Sequence, residues 1–168
     1  YKRWYHTQGG PLPEEVDPNE GLLAISEIHS MRAPGVTCMG ALGGNIPGTL
    51  TQPANDSKGC GGVMRAAPAG LVTDDPVEAY RLGRDLAALT HGHPSGWIAA
   101  GAFAAIICEL ANGSDPTQAV QTGLLLVGSE EAGNEVAEAL RHAVAISEQS
   151  EMTVLDVEQL GQGWTAEE

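Results

Sequence analysis

Between Pro34 and Gly62 the chain carries eight glycines and further prolines at 47 and 53, with little helical or strand periodicity. A stretch of this length without regular structure is uncommon in a compact domain unless it serves a function. It therefore constrains the fold more than any other feature. The helices on either side must form a core without it, and the loop itself must lie against that core.

The flanking sequence supplies those helices. Asp17-Pro18 reads as a helix start, with Leu22, Leu23, Ile25, Ile28 and His29 on one broad face, ending near Arg32 before Ala33-Pro34-Gly35. Thr73-Asp74-Asp75-Pro76 places a capping acid before a proline at the first helical position. It opens a helix to about Leu89, with Val77, Tyr80, Leu86 and Leu89 inward. Thr90 to Gly96 is a second irregular loop. The segment from Trp97 to Leu110 is apolar nearly all round and is expected at the centre of the fold. Asn112-Gly113 ends it, and Asp115-Pro116 opens another helix through Leu126. Glu130–Ser147 is amphipathic, with Val136, Leu140, Ala143 and Val144 inward, and a short helix covers about Val154–Leu160. No strand, repeat or linker is evident. The expected class is all-α, an orthogonal multi-helix arrangement in one domain spanning 1–168.

Charge narrows the function classes. The chain of 168 residues has 8 Lys+Arg against 22 Asp+Glu, a formal net charge of −14. That excludes an electrostatic footprint for nucleic acid or anionic lipid. Residues 127–168 hold 1 basic and 10 acidic groups, whereas residues 34–126 hold 4 and 7. An anionic ligand is thus expected in the near-neutral middle, and the acidic final third is expected on solvated helices. The longest apolar run, Trp97–Ile107, is shorter than the roughly 20 residues a bilayer requires, so no membrane partner is expected. Cys38, Cys60 and Cys108 form no CxxC pair, which fits reduced thiols in a cytoplasmic protein.

Four groups of residues invite chemistry. In Asn55-Asp56-Ser57-Lys58-Gly59-Cys60-Gly61-Gly62, three glycines let backbone N–H groups approach a ligand closely. Ser57 adds a hydroxyl and Lys58 a positive charge. A helix starting near Val63 would add its free amides. Together these have the chemistry of a diphosphate cradle, although the spacing is neither a Walker A loop nor GxGxxG. A tight glycine turn between packed helices explains the same residues without a ligand. The His91–His93 loop suggests metal ligation, but no third ligand is evident, and a backbone hydrogen bond is the plainer reading. Cys60 with His91 has the makings of a thiol nucleophile and base, against an inert buried cysteine. Thr73-Asp74-Asp75 offers adjacent carboxylates to a divalent cation, but helix capping accounts for them.

The segment Asn55–Leu71 (NDSKGCGGVMRAAPAGL) resembles the signature of the ADP-ribosylglycohydrolases, a family that includes dinitrogenase reductase-activating glycohydrolases and the J1 crystallins. Thr90-His91-Gly92-His93-Pro94 resembles the family's next landmark. Leu160-Gly161-Gln162-Gly163-Trp164-Thr165-Ala166-Glu167-Glu168 looks like the segment that introduces its last catalytic helices, and Trp4-Tyr5 and Arg32-Ala33-Pro34-Gly35 fit as well.

The resemblance implies an all-α hydrolase that uses two Mg²⁺ or Mn²⁺ ions to release ADP-ribose from a protein side chain or a small molecule. It implies that Gly35, Asp56, Ser57, Lys58, Gly59 and His91 face the ligand. The family's metal ligands come from an acidic cluster near the N-terminus and an Asp-x-Asp-Thr/Ser stretch near the C-terminus, and neither is present here. The expectation is a central fragment, truncated at both ends. It would retain part of the ADP-ribose pocket, be inactive alone, and self-associate through uncovered apolar surface. The alternative is a non-catalytic ADP-ribose-binding or crystallin-like structural module.

Overall fold

A computed structural model describes residues 1–44, 46–149 and 151–168. Seven α-helices are present among them: α1 (Lys2–Thr7), α2 (Val36–Gly43), α3 (Pro76–Ala88), α4 (Pro94–Ala111), α5 (Pro116–Gly128), α6 (Asn134–Ser147) and α7 (Val154–Glu158). Short 3₁₀ turns cover Gly21–Ala24, Ser26–Ile28, Val63–Arg65 and Ala67–Leu71. The chain is all-α as expected. The only β pairing among the described residues is a single antiparallel bridge between Gly59 and Thr165.

Helix α4 is the axis of the fold. It packs against α3 most extensively, and also against α5, α6 and the two 3₁₀ turns at 63–71. Its length and hydropathy match those of a membrane-crossing helix, but here its surface is taken up by these neighbours. Ile98, Ala100, Ala104, Ala105 and Cys108 are fully buried. Around them cluster Tyr80 from α3, Val127 from α5, and Val136 and Ala137 from α6. Alanines and glycines dominate, so helix axes approach closely and the core needs little aromatic volume.

Local chemistry starts α3 and α5. The Asp75 carboxylate accepts the Val77 amide at 2.9 Å, and the Asp115 carboxylate accepts the Gln118 amide at 3.0 Å. Each acid precedes a proline whose missing N–H costs nothing in the first turn. Asp75→Ala should cost about 1 kcal/mol, or roughly 2–4 °C in Tm, which differential scanning calorimetry would detect. An unchanged Tm would mean that the cap contributes nothing. Of the Thr73-Asp74-Asp75 acids, Asp75 thus acts in capping, and among the described residues no metal cluster includes either.

Four expectations need correction. Residues 17–32 form two 3₁₀ turns and no continuous helix. Gly21 adopts φ +60°, Ala33 adopts φ 47°, and only Leu23 of the apolar set is buried. Leu22, Ile25 and Ile28 have the right spacing but no partner surface to bury against. Within 34–62, the chain does form a helix, α2. Its Gly43 lies where a Cβ would sit 2.9 Å from the Tyr5 hydroxyl, so glycine there serves the close approach of α1 and α2. Asn45, within the same stretch, lies outside the described residues. Val77 is exposed, and the buried face of α3 is Ala79, Tyr80, Gly83, Ala87 and Ala88. The helix expected at Glu130–Ser147 begins at Asn134, after a turn in which Glu130 pairs with Arg84 at 2.7 Å.

Candidate functional site

The glycine turn folds directly over His91. A Cβ at Gly61 would meet the His91 Cε1 and Nε2 atoms at 3.2 Å, and one at Gly59 would lie 3.7 Å from Nε2. A Cβ at Gly62 would meet the Ala87 Cβ at 3.1 Å. Bare backbone is therefore what allows this turn to rest on the imidazole and on α3. Asn55 closes the junction: its Oδ1 accepts the amides of Ser57 (2.9 Å) and Gly92 (3.2 Å), and its Nδ2 donates to the Thr90 carbonyl (2.8 Å). The first of these is an Asx turn, a conformation the asparagine side chain favours locally.

Ser57 links the turn to α2. Its Oγ accepts the Gly59 amide at 3.3 Å and lies 3.2 Å from the Thr37 hydroxyl. Gly35, immediately before α2, opens onto empty space and lines a cavity of about 480 Å³ with Tyr1, Trp4, Cys38, Gly61 and Arg65. Asp56 is exposed and makes no hydrogen bond among the described residues. The structure thus brings Ser57, Gly59 and His91 together, places Gly35 on a cavity that the turn borders through Gly61, and leaves Asp56 exposed.

Lys58 faces the other way. Its ammonium lies 2.6 Å from carboxylate oxygens of both Glu135 and Glu167. Hydrogen bonds to Glu135 and then Glu167 push the lysine well above its ordinary value. The bond from Lys58, followed by that from Ser95, holds Glu135 below the usual carboxylate range. The segment 164–168 is anchored in the same place: the Cys60 amide donates to the Trp164 carbonyl (3.1 Å), and the Ala166 amide donates to the Lys58 carbonyl (2.8 Å). Two carboxylates of the acidic final third therefore sit at the glycine turn, which overturns the expectation that they would all lie on solvated helices.

The buried side is organised by Thr90 and Arg65. Thr90 and His91 are only 1% and 2% exposed. Burial, and then the nearby Arg65 cation, lower the His91 pKa to about 4, so the ring is neutral at neutral pH. Arg65 donates to the carbonyls of Gly61 (3.2 Å) and Leu86 (2.9 Å), to Cys38 Sγ (3.3 Å) and to Thr90 Oγ1 (2.7 Å).

The turn carries less dipole than the sequence suggests, because Val63–Arg65 is a three-residue 3₁₀ turn and no long helix starts there. What the turn offers an anion is backbone: among the described residues, no acceptor takes the amides of Gly61 or Gly62.

A family model for ADP-ribosylglycohydrolases matches residues 1–168. The chain belongs to the ADP-ribosylglycohydrolase family. No curated protein matches it, and no solved structure does. Membership places the turn and the histidine loop in a hydrolase family.

A two-metal centre does not fit the residues present. Among the described residues, no three His, Cys, Asp or Glu side chains come together. Where Glu135 and Glu167 do converge, the Lys58 ammonium already fills the position between them. His93, the other histidine of the loop, accepts the Ser95 amide at 3.2 Å and caps α4. Cys60 makes no hydrogen bond to His91 among the described residues, and the Cys38 thiol lies 3.7 Å from where a Cβ at Gly61 would sit.

Sequence reasoning gave no individual role to Asn55, Arg65, Thr90 or Glu167, which it quoted only within longer motifs, and it did not connect Thr37 or Glu135 with the turn. The Asn-Asp-Ser turn was detectable locally. The carboxylates were not, because Glu135 and Glu167 lie 77 and 109 positions from the lysine they hold.

Proposed function

We propose that this chain forms an ADP-ribose-binding face of a hydrolase that releases ADP-ribose from a modified side chain or small molecule. The observation that carries this reading is the glycine turn 59–62 over His91, with two amides that find no acceptor among the described residues and the Ser57 hydroxyl beside it. Backbone amides without side chains suit a diphosphate, which needs several short donors in a small space. Ser57 orients the turn through the Gly59 amide and offers its hydroxyl to the ligand. Neutral His91 contributes a ring nitrogen without a charge that water would have to solvate. The Lys58–Glu135–Glu167 group fixes the turn from outside, and it is this group that holds the backbone in place when a ligand arrives.

The test is calorimetric titration of ADP-ribose into the chain. Binding is expected, and Ser57→Ala should weaken it about 5–10-fold, the value of one hydrogen bond. Unchanged affinity would remove Ser57 from the site, and no binding to the wild-type chain would reject the reading.

The second reading is a non-catalytic ADP-ribose-binding or crystallin-like structural module. Hydrolysis assays with Mg²⁺ or Mn²⁺ separate the two, since turnover by these residues alone would exclude it.

A further inference from the structure

Thr90 sits between a fixed cation, a thiol and the buried imidazole. Its Oγ1 receives Arg65 Nη2 at 2.7 Å, lies 3.9 Å from the Cys38 thiol, and lies 2.8 Å from His91 Nδ1. Proton counting decides the arrangement. A threonine hydroxyl has one proton to give and two lone pairs to offer. Arg65 is an obligate donor and takes one lone pair. The Cys38 thiol accepts from Arg65 Nη1 at 3.3 Å and is placed to donate its own proton to the second lone pair, across a long 3.9 Å contact. The hydroxyl proton is then left for Nδ1, the short contact. An acceptor Nδ1 on a neutral ring requires the proton to be on Nε2.

The geometry points to Thr90 as the positioning residue that fixes His91 in its Nε2–H tautomer, aiming an uncharged N–H donor at the glycine turn. The direction follows from the ring's placement: Nε2 is the atom that a Cβ at Gly61 or Gly59 would crowd, at 3.2 and 3.7 Å. Among the described residues no acceptor takes Nε2. The donor thus faces the turn from a ring only 2% exposed, and would meet a phosphate or ribose oxygen of a ligand that the turn admits. The last step rests on the ADP-ribose reading; the tautomer does not.

The experiment separates the two. Long-range ¹H–¹⁵N spectra of the ¹⁵N-histidine-labelled chain at pH 7, with His91 assigned by its loss in His91→Gln, report which ring nitrogen carries the proton. The expected result is protonated Nε2 and acceptor Nδ1. Thr90→Val, which keeps the side-chain shape, should shift His91 toward the Nδ1–H form or a mixture and weaken ADP-ribose binding about 5–10-fold. Thr90→Ser should restore both. An Nδ1-protonated wild-type ring overturns the proposal whether or not the valine variant folds. So does a Thr90→Val spectrum identical to wild type. If the wild-type chain binds no ADP-ribose yet shows the expected tautomer and its loss in Thr90→Val, the positioning role stands and the ligand reading falls.

Discussion

Replacing Gly83 with alanine is expected to lower Tm by roughly 5–10 °C, equivalent to about 2–3 kcal/mol in a domain of this size. Helix propensity alone predicts the opposite, because alanine is favoured over glycine in a helix interior by up to about 1 kcal/mol. Packing decides the sign. A Cβ at Gly83 would lie 2.7 Å from the Ala100 carbonyl oxygen and 2.7 Å from the Ala104 Cβ. Neither neighbour can move independently: both belong to the middle of α4, and displacing them displaces the helix on which α3, α5 and α6 pack. Gly40, inside α2, is the matched control. A Cβ there meets nothing within 4 Å, so Gly40→Ala should stabilise by about 0.5–1 kcal/mol. Thermal unfolding of both variants tests the argument, and a Gly83→Ala protein as stable as wild type would refute it.

The same contrast explains what the sequence could and could not show. Helix starts were legible where one residue both caps and stops, as at Asp75-Pro76 and Asp115-Pro116. The central position of α4 was legible because a helix apolar on all sides has only one stable place in a fold. Residues 17–32 misled because periodicity records where apolar side chains recur, and a helix also needs a surface to bury them against. Leu22 is 73% exposed despite its spacing. Helix α2 was hidden by its own glycines, which lower local propensity but admit the Tyr5 hydroxyl.

In the site, the glycine turn and His91 are close in space as their chemistry suggested. The clamp on Lys58 is different in kind. It joins residues from the turn, α6 and the segment after α7, and no local pattern encodes such a meeting. Charge counting pointed away from it. The acidic final third as a whole repels an anion, yet two of its carboxylates converge on one lysine at the turn, which offsets half of their charge.

Acidification should destabilise the protein well before its carboxylates protonate, and His91 is the cause. The folded ring titrates near 4, against an ordinary 6.5 when unfolded. Above pH 6.5 both states hold the ring neutral, and His91 contributes no pH dependence. As the pH falls from 6.5 towards 4, the unfolded chain takes up a proton that the folded chain refuses, so stability declines with falling pH across that window and levels off below it. The expected total is about 3 kcal/mol, or roughly 6–12 °C in Tm. The Lys58–Glu135 pair acts in a lower range. Glu135 is held below its ordinary 4.5, so its stabilising effect is complete above pH 4.5 and is lost only as the pH falls below that value. The interval between 4.5 and 6.5 therefore reports the histidine. His91→Gln, which cannot be protonated, should be less stable than wild type at pH 7, because its amide cannot reproduce the ring's fit beneath Gly61. Its Tm should nevertheless change less between pH 6.5 and 4.5, with the wild-type and variant curves converging on acidification. Parallel curves in that interval would show that the ring beneath the glycine turn is not held neutral.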